Sequence, residues 1–469
     1  MPCQNYDRLD LSGLINRREL FRHTSSGIAL GSLLLNQQST AAMARRPHDP
    51  GKARAVIQLF QHGGPSHMDL FDPKPELNKH DGKPMPDSFK DLVQITKHGG
   101  LMGTPFKFRP AGQCGIEYSE IIPHTARHAD DIAVIRSMYT EHNNHEQALW
   151  MMHTGQTISG RPTIGAWVSY ALGSENRNLP EYVVLRNDSE LPVDGNRNWS
   201  AGFLPPRYQG VHFRHSGTPV MYLNPSPGVS DKVQRLRLDL LQTLNAKHKE
   251  SHPGIAQELQ ARIASYELAG RMQVSASAAF DFSKETRETH RLYGLDNEQT
   301  ASYGTRLLLA RRLVEHGVRF VQVLIRGQMW DTHQENANRT KQCCLETDQP
   351  TGALLQDLKR RGLLDSTLVI WGGEFGRTPV SQDGNGRDHH KQGFSLWLAG
   401  GGVRGGQAYG ATDDFGYYAV KNRVKVSDLH ATILHQLGLN HRDLIYDAHG
   451  RNERLTAEYD ASVLTPLVS

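Results

Sequence analysis

Six short, nearly continuous apolar runs punctuate an otherwise polar chain. They lie from Ala55 to Phe60 (AVIQLF), Asp131 to Arg136 (DIAVIR), Glu181 to Leu185 (EYVVL), Arg319 to Ile325 (RFVQVLI), Ser366 to Trp371 (STLVIW) and Phe394 to Leu398. Runs of this length bounded by turn residues suit strands buried on both faces, the pattern of a parallel sheet. Helical periodicity separates them, from Glu146 to His153, Ile164 to Leu172, Asp231 to Ser275, Ala301 to His316, Thr347 to Arg361 and Val426 to Leu437. Strands alternating with helices predict an α/β fold. The strand-free stretch from 231 to 275 reads as a helical insertion. The polar, aromatic and Pro/Gly-rich stretch from Asn196 to Val229 reads as a lid or substrate-facing loop.

The first 44 residues stand outside this pattern. Asn16-Arg17-Arg18-Glu19-Leu20-Phe21-Arg22 carries paired arginines, a weakly apolar segment runs from Thr24 to Leu35, and Ala42-Met43-Ala44 offers a small-residue cleavage site. That order describes an export signal, and the paired arginines predict the twin-arginine translocation machinery as its partner. The expected location is therefore periplasmic or secreted, with residues 45–469 as one α/β domain. A membrane-spanning helix needs about 20 apolar residues, and no later segment supplies them, so no stable membrane insertion is expected.

Composition narrows the picture further. A formal charge of +4 with interspersed signs gives no reason to expect nucleic-acid binding. Outside the signal only Cys114, Cys343 and Cys344 remain, which allows one disulfide at most and excludes a disulfide-built scaffold. The 24 histidines are many for this length. Those beside acidic residues at strand ends carry the weight.

Three segments combine carboxylates and imidazoles just after apolar runs, where an open α/β sheet collects its chemistry. In Trp330-Asp331-Thr332-His333, Asp331 and His333 are spaced to face one ion from an extended segment. Glu374 follows Gly372 and Gly373, which let the backbone turn sharply. Arg377, three residues on, can pair with Glu374 or hold an anionic substrate group. Asp388, His389 and His390 sit in a Gly/Asn-rich stretch read as a loop, with one of the two histidines expected as a ligand because adjacent side chains point oppositely. The segment His62-Gly63-Gly64-Pro65-Ser66-His67-Met68-Asp69 offers an anion-binding nest, Asp69 as a ligand or orienter, and Ser66 as a weaker nucleophile. His145 stands at the start of an expected helix, where it is either a cap or a neutral metal-binding imidazole. Carboxylate and imidazole without thiolate is the donor set of a hydrolytic metal centre. No G-x-S-x-G elbow, Walker or H-E-x-x-H motif is present.

In order and spacing, GGPSHMDLFDPKP (63–75), RSMYTEHNNHEQALWMMHTG (136–155), WDTH (330–333), GGEFGRTP (372–379), GRDHH (386–390) and DLHATILHQLG (428–438) resemble the secreted bacterial family catalogued as domain of unknown function 1501. The resemblance covers almost the whole mature chain. It implies an alkaline phosphatase-like α/β fold, with a mainly parallel central sheet sandwiched between helices and a metal centre at the strand ends, shared with sulfatases and phosphodiesterases. Sulfatases open a C-x-P-S-R motif with their nucleophile, ten residues before the Gly of a Thr-Gly pair. Counting back from Gly155 places His145 there, as a ligand or an imidazole nucleophile.

The expectation is a divalent-metal hydrolase of phosphate or sulfate esters, small-molecule or carbohydrate. Asp331, His333, Glu374, Asp388, His389 and Asp69 are its expected ligands, and His145, Arg377 and Ser66 its catalytic groups. Histidine donors favour Zn or Mn over Ca or Mg. The alternative is a non-catalytic metal- or ligand-binding protein that keeps the fold.

Overall fold

A computed structural model describes residues 51–469 except 87–98, 177, 189, 215–229, 252–267, 269–276, 383 and 458. The expected export signal, most of the end of the expected lid and nearly all of the second half of the 231–275 stretch lie outside the described residues. In chain order the strands are β1 (Ala55–Phe60), β2 (Ile132–Tyr139), β3 (Tyr182–Leu185), β4 (Val211–Phe213), β5 (Phe320–Leu324), β6 (Thr367–Gly372), β7 (Gly376–Gln382), β8 (Gly386–His390), β9 (Phe394–Ala399), β10 (Gln407–Tyr409) and β11 (Val424–Lys425). Three further two-stranded ribbons occur among the described residues. The longer helices are α1 (His145–Thr154), α2 (Ile164–Leu172), α3 (Asp231–Ser251), α4 (Glu298–Glu315), α5 (Asn336–Arg360) and α6 (Val426–Gln436).

The central sheet has the order β10-β2-β9-β6-β1-β5-β3-β4, with β11 also paired to β2. Its pairings are parallel except those of β9, which runs antiparallel to both β2 and β6. Period-two alternation sends side chains to opposite faces, and the two faces feed two separate cores. Ile57, Leu59, Val321, Val323, Val369 and Trp371 pack with α4 and α5 on one side. Val56, Phe60, Phe320, Leu324, Leu368 and Ile370 pack with α1, α2 and α6 on the other. Each such fully buried aliphatic or aromatic side chain contributes roughly 1.5–3 kcal/mol. The protein is therefore a mixed α/β fold with a mainly parallel sheet between two helical layers.

Three expectations need correction. The GRDHH stretch is not a loop: β7 and β8 form an antiparallel hairpin with a bulge between Arg387 and His389. The helix expected from Thr347 begins eleven residues earlier, at Asn336, and continues through Pro350. The Asn196–Val229 stretch, as far as it is described, contains two 3-10 turns and the edge strand β4. Among the described residues no helix is long and apolar enough to cross a membrane. Cys114, Cys343 and Cys344 are all free thiols.

Candidate metal centre

Parallel strands deliver their functional side chains at their carboxyl ends. β1 stops at Phe60 and turns through His62-Gly63-Gly64. Gly63 (φ +114°) is required there, because a Cβ would lie 2.5 Å from the Asp331 nitrogen. β6 stops at Gly372 and presents Glu374, while β5 leads through a short loop to Asp331 and His333. β2 leads into α1, whose first residue is His145. Asn144 caps that helix by accepting from the Glu146 N–H at 3.1 Å. The β7–β8 hairpin supplies Asp388 and His389. It is laced to the Asp331 loop by Arg387 N–H donating to Thr332 O at 3.0 Å and Asn336 N–H donating to Asn385 O at 2.9 Å.

The inner group consists of His62, His145 and Glu374, whose donor atoms lie within 4.8 Å of one another. Glu374 is fully buried and accepts from the Gly63 N–H at 2.9 and 3.2 Å. His145 Nδ1 lies 2.7 Å from Glu374 Oε1, and His62 Nδ1 lies 3.1 Å from the Gly327 carbonyl. Acceptor-only partners fix the proton on each Nδ1 and leave each Nε2 facing the centre. Both Nε2 atoms are buried and face carboxylates at longer range, His145 Nε2 at 3.5 Å from Asp331 Oδ1 and His62 Nε2 at 3.7 Å from Glu374 Oε1. Burial depresses the His62 pKa. Burial also opposes charge on His145, yet Asp331 and Glu374 on either side raise its pKa to about 9. Burial likewise penalises a charged Glu374, but His62 and His145 outweigh it and hold the carboxylate ionised.

The outer group centres on Asp331 Oδ1. His389 Nε2 and His333 Nε2 each lie 3.0 Å from it and 2.9 Å from each other, and His145 Nε2 lies 3.5 Å away. His389 Nδ1 is held by the Asn143 carbonyl at 2.9 Å, and His333 Nδ1 by the Gln382 amide oxygen. Asp388 Oδ1 stands 3.7 Å from His333 Nδ1 and accepts from the His389 N–H at 2.7 Å. Burial opposes ionisation of Asp331, but hydrogen bonds from His145, His333 and His389, with Arg377 beside it, hold it far below the ordinary carboxylate range. Donor groups His145–Asp331–His389 and His333–Asp388–His389 share residues with each other and with the inner group. Two ionised carboxylates and several imidazoles converge here, and their negative charge is compensated either by protons on His145 and His333 or by a cation. A divalent cation fits these residues.

Among the described residues, three expected site residues make other contacts and are not direct members of the donor groups. Arg377 does not pair with Glu374. Its buried guanidinium donates to Gly64 O and Arg387 O, each at 3.0 Å, to Gly63 O, and to Asp331 Oδ1 at 2.5 Å. It ties the Gly63 turn, the hairpin and Asp331 together. Asp69 joins none of the convergent donor groups among the described residues. It makes a fully buried ion pair with Arg387, at 2.9 and 3.3 Å, and accepts from Asn336 Nδ2 at 2.9 Å. Burial opposes its charge, but Arg387 and neighbours including Ser66 hold its pKa low. Ser66 lies outside the convergent donor groups among the described residues, with its hydroxyl buried. The other histidine of the pair, His390, points its Nε2 to the Tyr417 carbonyl, away from His389, as alternation in an extended chain requires.

His62 is the donor that sequence reasoning passes over. Its signal is its place two residues beyond β1, as Glu374 lies two residues beyond β6.

A mainly parallel α/β sheet with a carboxylate–imidazole centre at its strand ends defines the class of protein. The chain belongs to the family described as Protein of unknown function (DUF1501), whose model matches residues 53–468. No curated protein matches it. Similar solved structures include PsFucS1 sulfatase from Pseudoalteromonas sp., with 12% identity over 86% of this chain and 72% of that one, at a TM-score of 0.35. Alkaline phosphatase from the Antarctic bacterium TAB5 shows 11% identity over 84% and 100% of the two chains, at 0.33. Phosphonate monoester hydrolase SpPMH from Silicibacter pomeroyi shows 12% over 74% and 71%, at 0.32.

Proposed function

We propose that this chain is a metal-dependent hydrolase of phosphate or sulfate esters of small molecules or carbohydrates, exported by the twin-arginine route. The observation that carries the reading is the convergence of buried His62 and His145 on ionised Glu374, with their donor atoms within 4.8 Å of one another. His62, His145 and Glu374 would hold one divalent ion; Asp331, His389, His333 and Asp388 would hold the same ion or a second. Zn or Mn suits the imidazole-rich set better than Ca or Mg. A bound ion supplies Lewis acidity toward a non-bridging ester oxygen and lowers the pKa of a coordinated water.

The chain's own residues do the rest. Glu374 fixes the ring of His145 in the tautomer that turns Nε2 inward, and Gly327 does the same for His62. Arg377 balances the charge of Asp331, so the anionic ester meets a centre whose carboxylates are already compensated. His145 at the position of the sulfatase nucleophile serves as a ligand, which leaves water as the attacking group.

The test is a panel of phosphate and sulfate esters assayed with the zinc- or manganese-loaded protein and with Glu374→Gln. Hydrolysis in the parent that the variant loses supports the reading. Metal binding without turnover of any ester supports a non-catalytic metal-binding protein instead.

A further inference from the structure

Arg306 is 2% exposed and has no carboxylate partner among the described residues. Its Nε donates to Ser302 O at 3.2 Å and its Nη1 to Leu324 O, and the guanidinium lies 5.4 Å from the centre of the Tyr303 ring. Its Nη2 has no acceptor among the described residues. The carboxylates of Asp188 and Glu346 offset part of the cost of burying it, and no Arg306 atom is among the fully buried side-chain atoms left without a partner, so its free edge opens on the cleft. Burial lowers its pKa to about 10, which still leaves it charged at neutral pH.

The same side chain lines a cleft of about 290 Å³ with Asn187, Gln299, Ser302, Tyr303 and Gln342. Gln299, Ser302 and Arg306 recur at i, i+3 and i+7 of α4 and so share one face. Two acidic groups also reach the cleft. Glu346 is taken by Arg326, through bonds of 2.9 and 2.8 Å, while Glu298 stands in the first turn of α4 at the rim. Amides, a hydroxyl and an aromatic ring around one guanidinium form a site for a polyhydroxylated ring that bears an oxyanion.

Hydrogen bonds run from this cleft to the metal centre. Gln61 Nε2 donates to Tyr303 Oη at 3.2 Å, and Trp330 Nε1 donates to Gln61 Oε1 at 3.0 Å. Gln61 precedes His62 and Trp330 precedes Asp331. Met329 and Ile325, in the loop that carries Asp331, form another wall of the cleft.

We infer that the Arg306 cleft binds a carboxylate or sulfate carried on a sugar-like ring, the non-reacting anionic group of the substrate. This rests on the ester-hydrolase reading for the word substrate, but the binding itself does not. The substrate class that follows is an acidic carbohydrate ester, with one anion at the metal centre and another on Arg306.

The test is calorimetric titration of glucuronate, glucose 6-sulfate, inorganic sulfate and neutral methyl glucoside into the full chain, with and without EDTA. Arg306→Gln and Gln299→Trp are measured alongside; the second fills the cleft from an exposed position and leaves the buried core alone. The expected result is binding of at least one of the two acidic sugars, tighter than inorganic sulfate or methyl glucoside, that survives EDTA. Both variants should weaken it about ten- to a hundredfold. Binding unchanged in a folded Arg306→Gln and in Gln299→Trp, binding abolished by EDTA alone, or no binding of either acidic sugar would overturn the inference. Failure of ester hydrolysis would leave the EDTA-resistant binding intact, so the two claims fail separately.

Discussion

The two halves of the donor cluster are built in opposite ways. His62, His145 and Glu374 stand at the ends of β1 and β6 and the start of α1, with side chains between 0% and 12% exposed. Asp331, His333, Asp388 and His389 depend on one loop and a hairpin outside the central sheet, and are 19% to 34% exposed. The inner half inherits its geometry from the core. The outer half has to be held by side-chain bonds, chiefly Arg377 to Asp331 and Arg387 to Asp69. Sheet ends fix the part of the centre that must exclude water, and a buried ionic brace positions the part that remains open.

That contrast can be broken most forcefully at the brace. Asp69→Ala strands the Arg387 guanidinium in the interior, and removing one partner of a buried pair costs about 3–5 kcal/mol. Urea denaturation should show that loss, and metal titration should show weakened outer sites with the inner site retained. Equal loss of both halves would mean that they are not independently supported.

Glu374→Gln attacks the inner half. It removes the negative charge that holds and orients His145, and such partners of metal-binding histidines are worth about 10–100-fold in affinity. Competition with a chelator measures it, and an effect below threefold would contradict a ligand or orienting role.

A third test uses pH. α1 is held from beneath by His430, whose Nε2 lies 2.9 Å from Met152 O and whose pKa burial lowers to about 4 from 6.5. Between those values the unfolded chain binds a proton that the folded chain refuses. Stability is complete above pH 6.5 and falls as the pH drops toward 4, by at most about 3 kcal/mol from this group. Unfolding free energies at pH 7 and pH 5 should differ accordingly, and His430→Met should flatten the difference. An unchanged pH slope in the variant would remove His430 from the account.

The smallest effect belongs to Asp388→Asn. Asp388 is partly exposed and reaches His333 only at 3.7 Å, so chelator competition should show a change of less than about tenfold. A loss as large as that of Glu374→Gln would erase the inner–outer distinction.

The same contrast governs what the amino-acid sequence reveals. Core strands such as AVIQLF and TLVIW are buried on both faces, so continuous apolar runs mark them, with β1 expected at its observed bounds. GRTPVSQ and GRDHH form a hairpin held by tertiary bonds, and no apolar alternation announces it. The first turns of α5, NANRTKQ, are polar for the same reason. Asp331, His333, Glu374, Asp388 and His389 were legible as members of one cluster because acids and imidazoles near strand ends have few structural uses. Asp69 was read as a metal ligand or orienter, since sequence spacing cannot distinguish an arginine partner from a metal ion. His62 was hidden by the glycines that follow it, although its place after β1 matches that of Glu374 after β6.

Elemental analysis of the chain, purified without added metal and then equilibrated with Zn or Mn, tests the central claim most directly. The parent should retain at least one ion per chain, and a His62→Ala, Glu374→Gln variant that remains folded should lose it. A folded parent that holds no metal under either condition would contradict the metal centre.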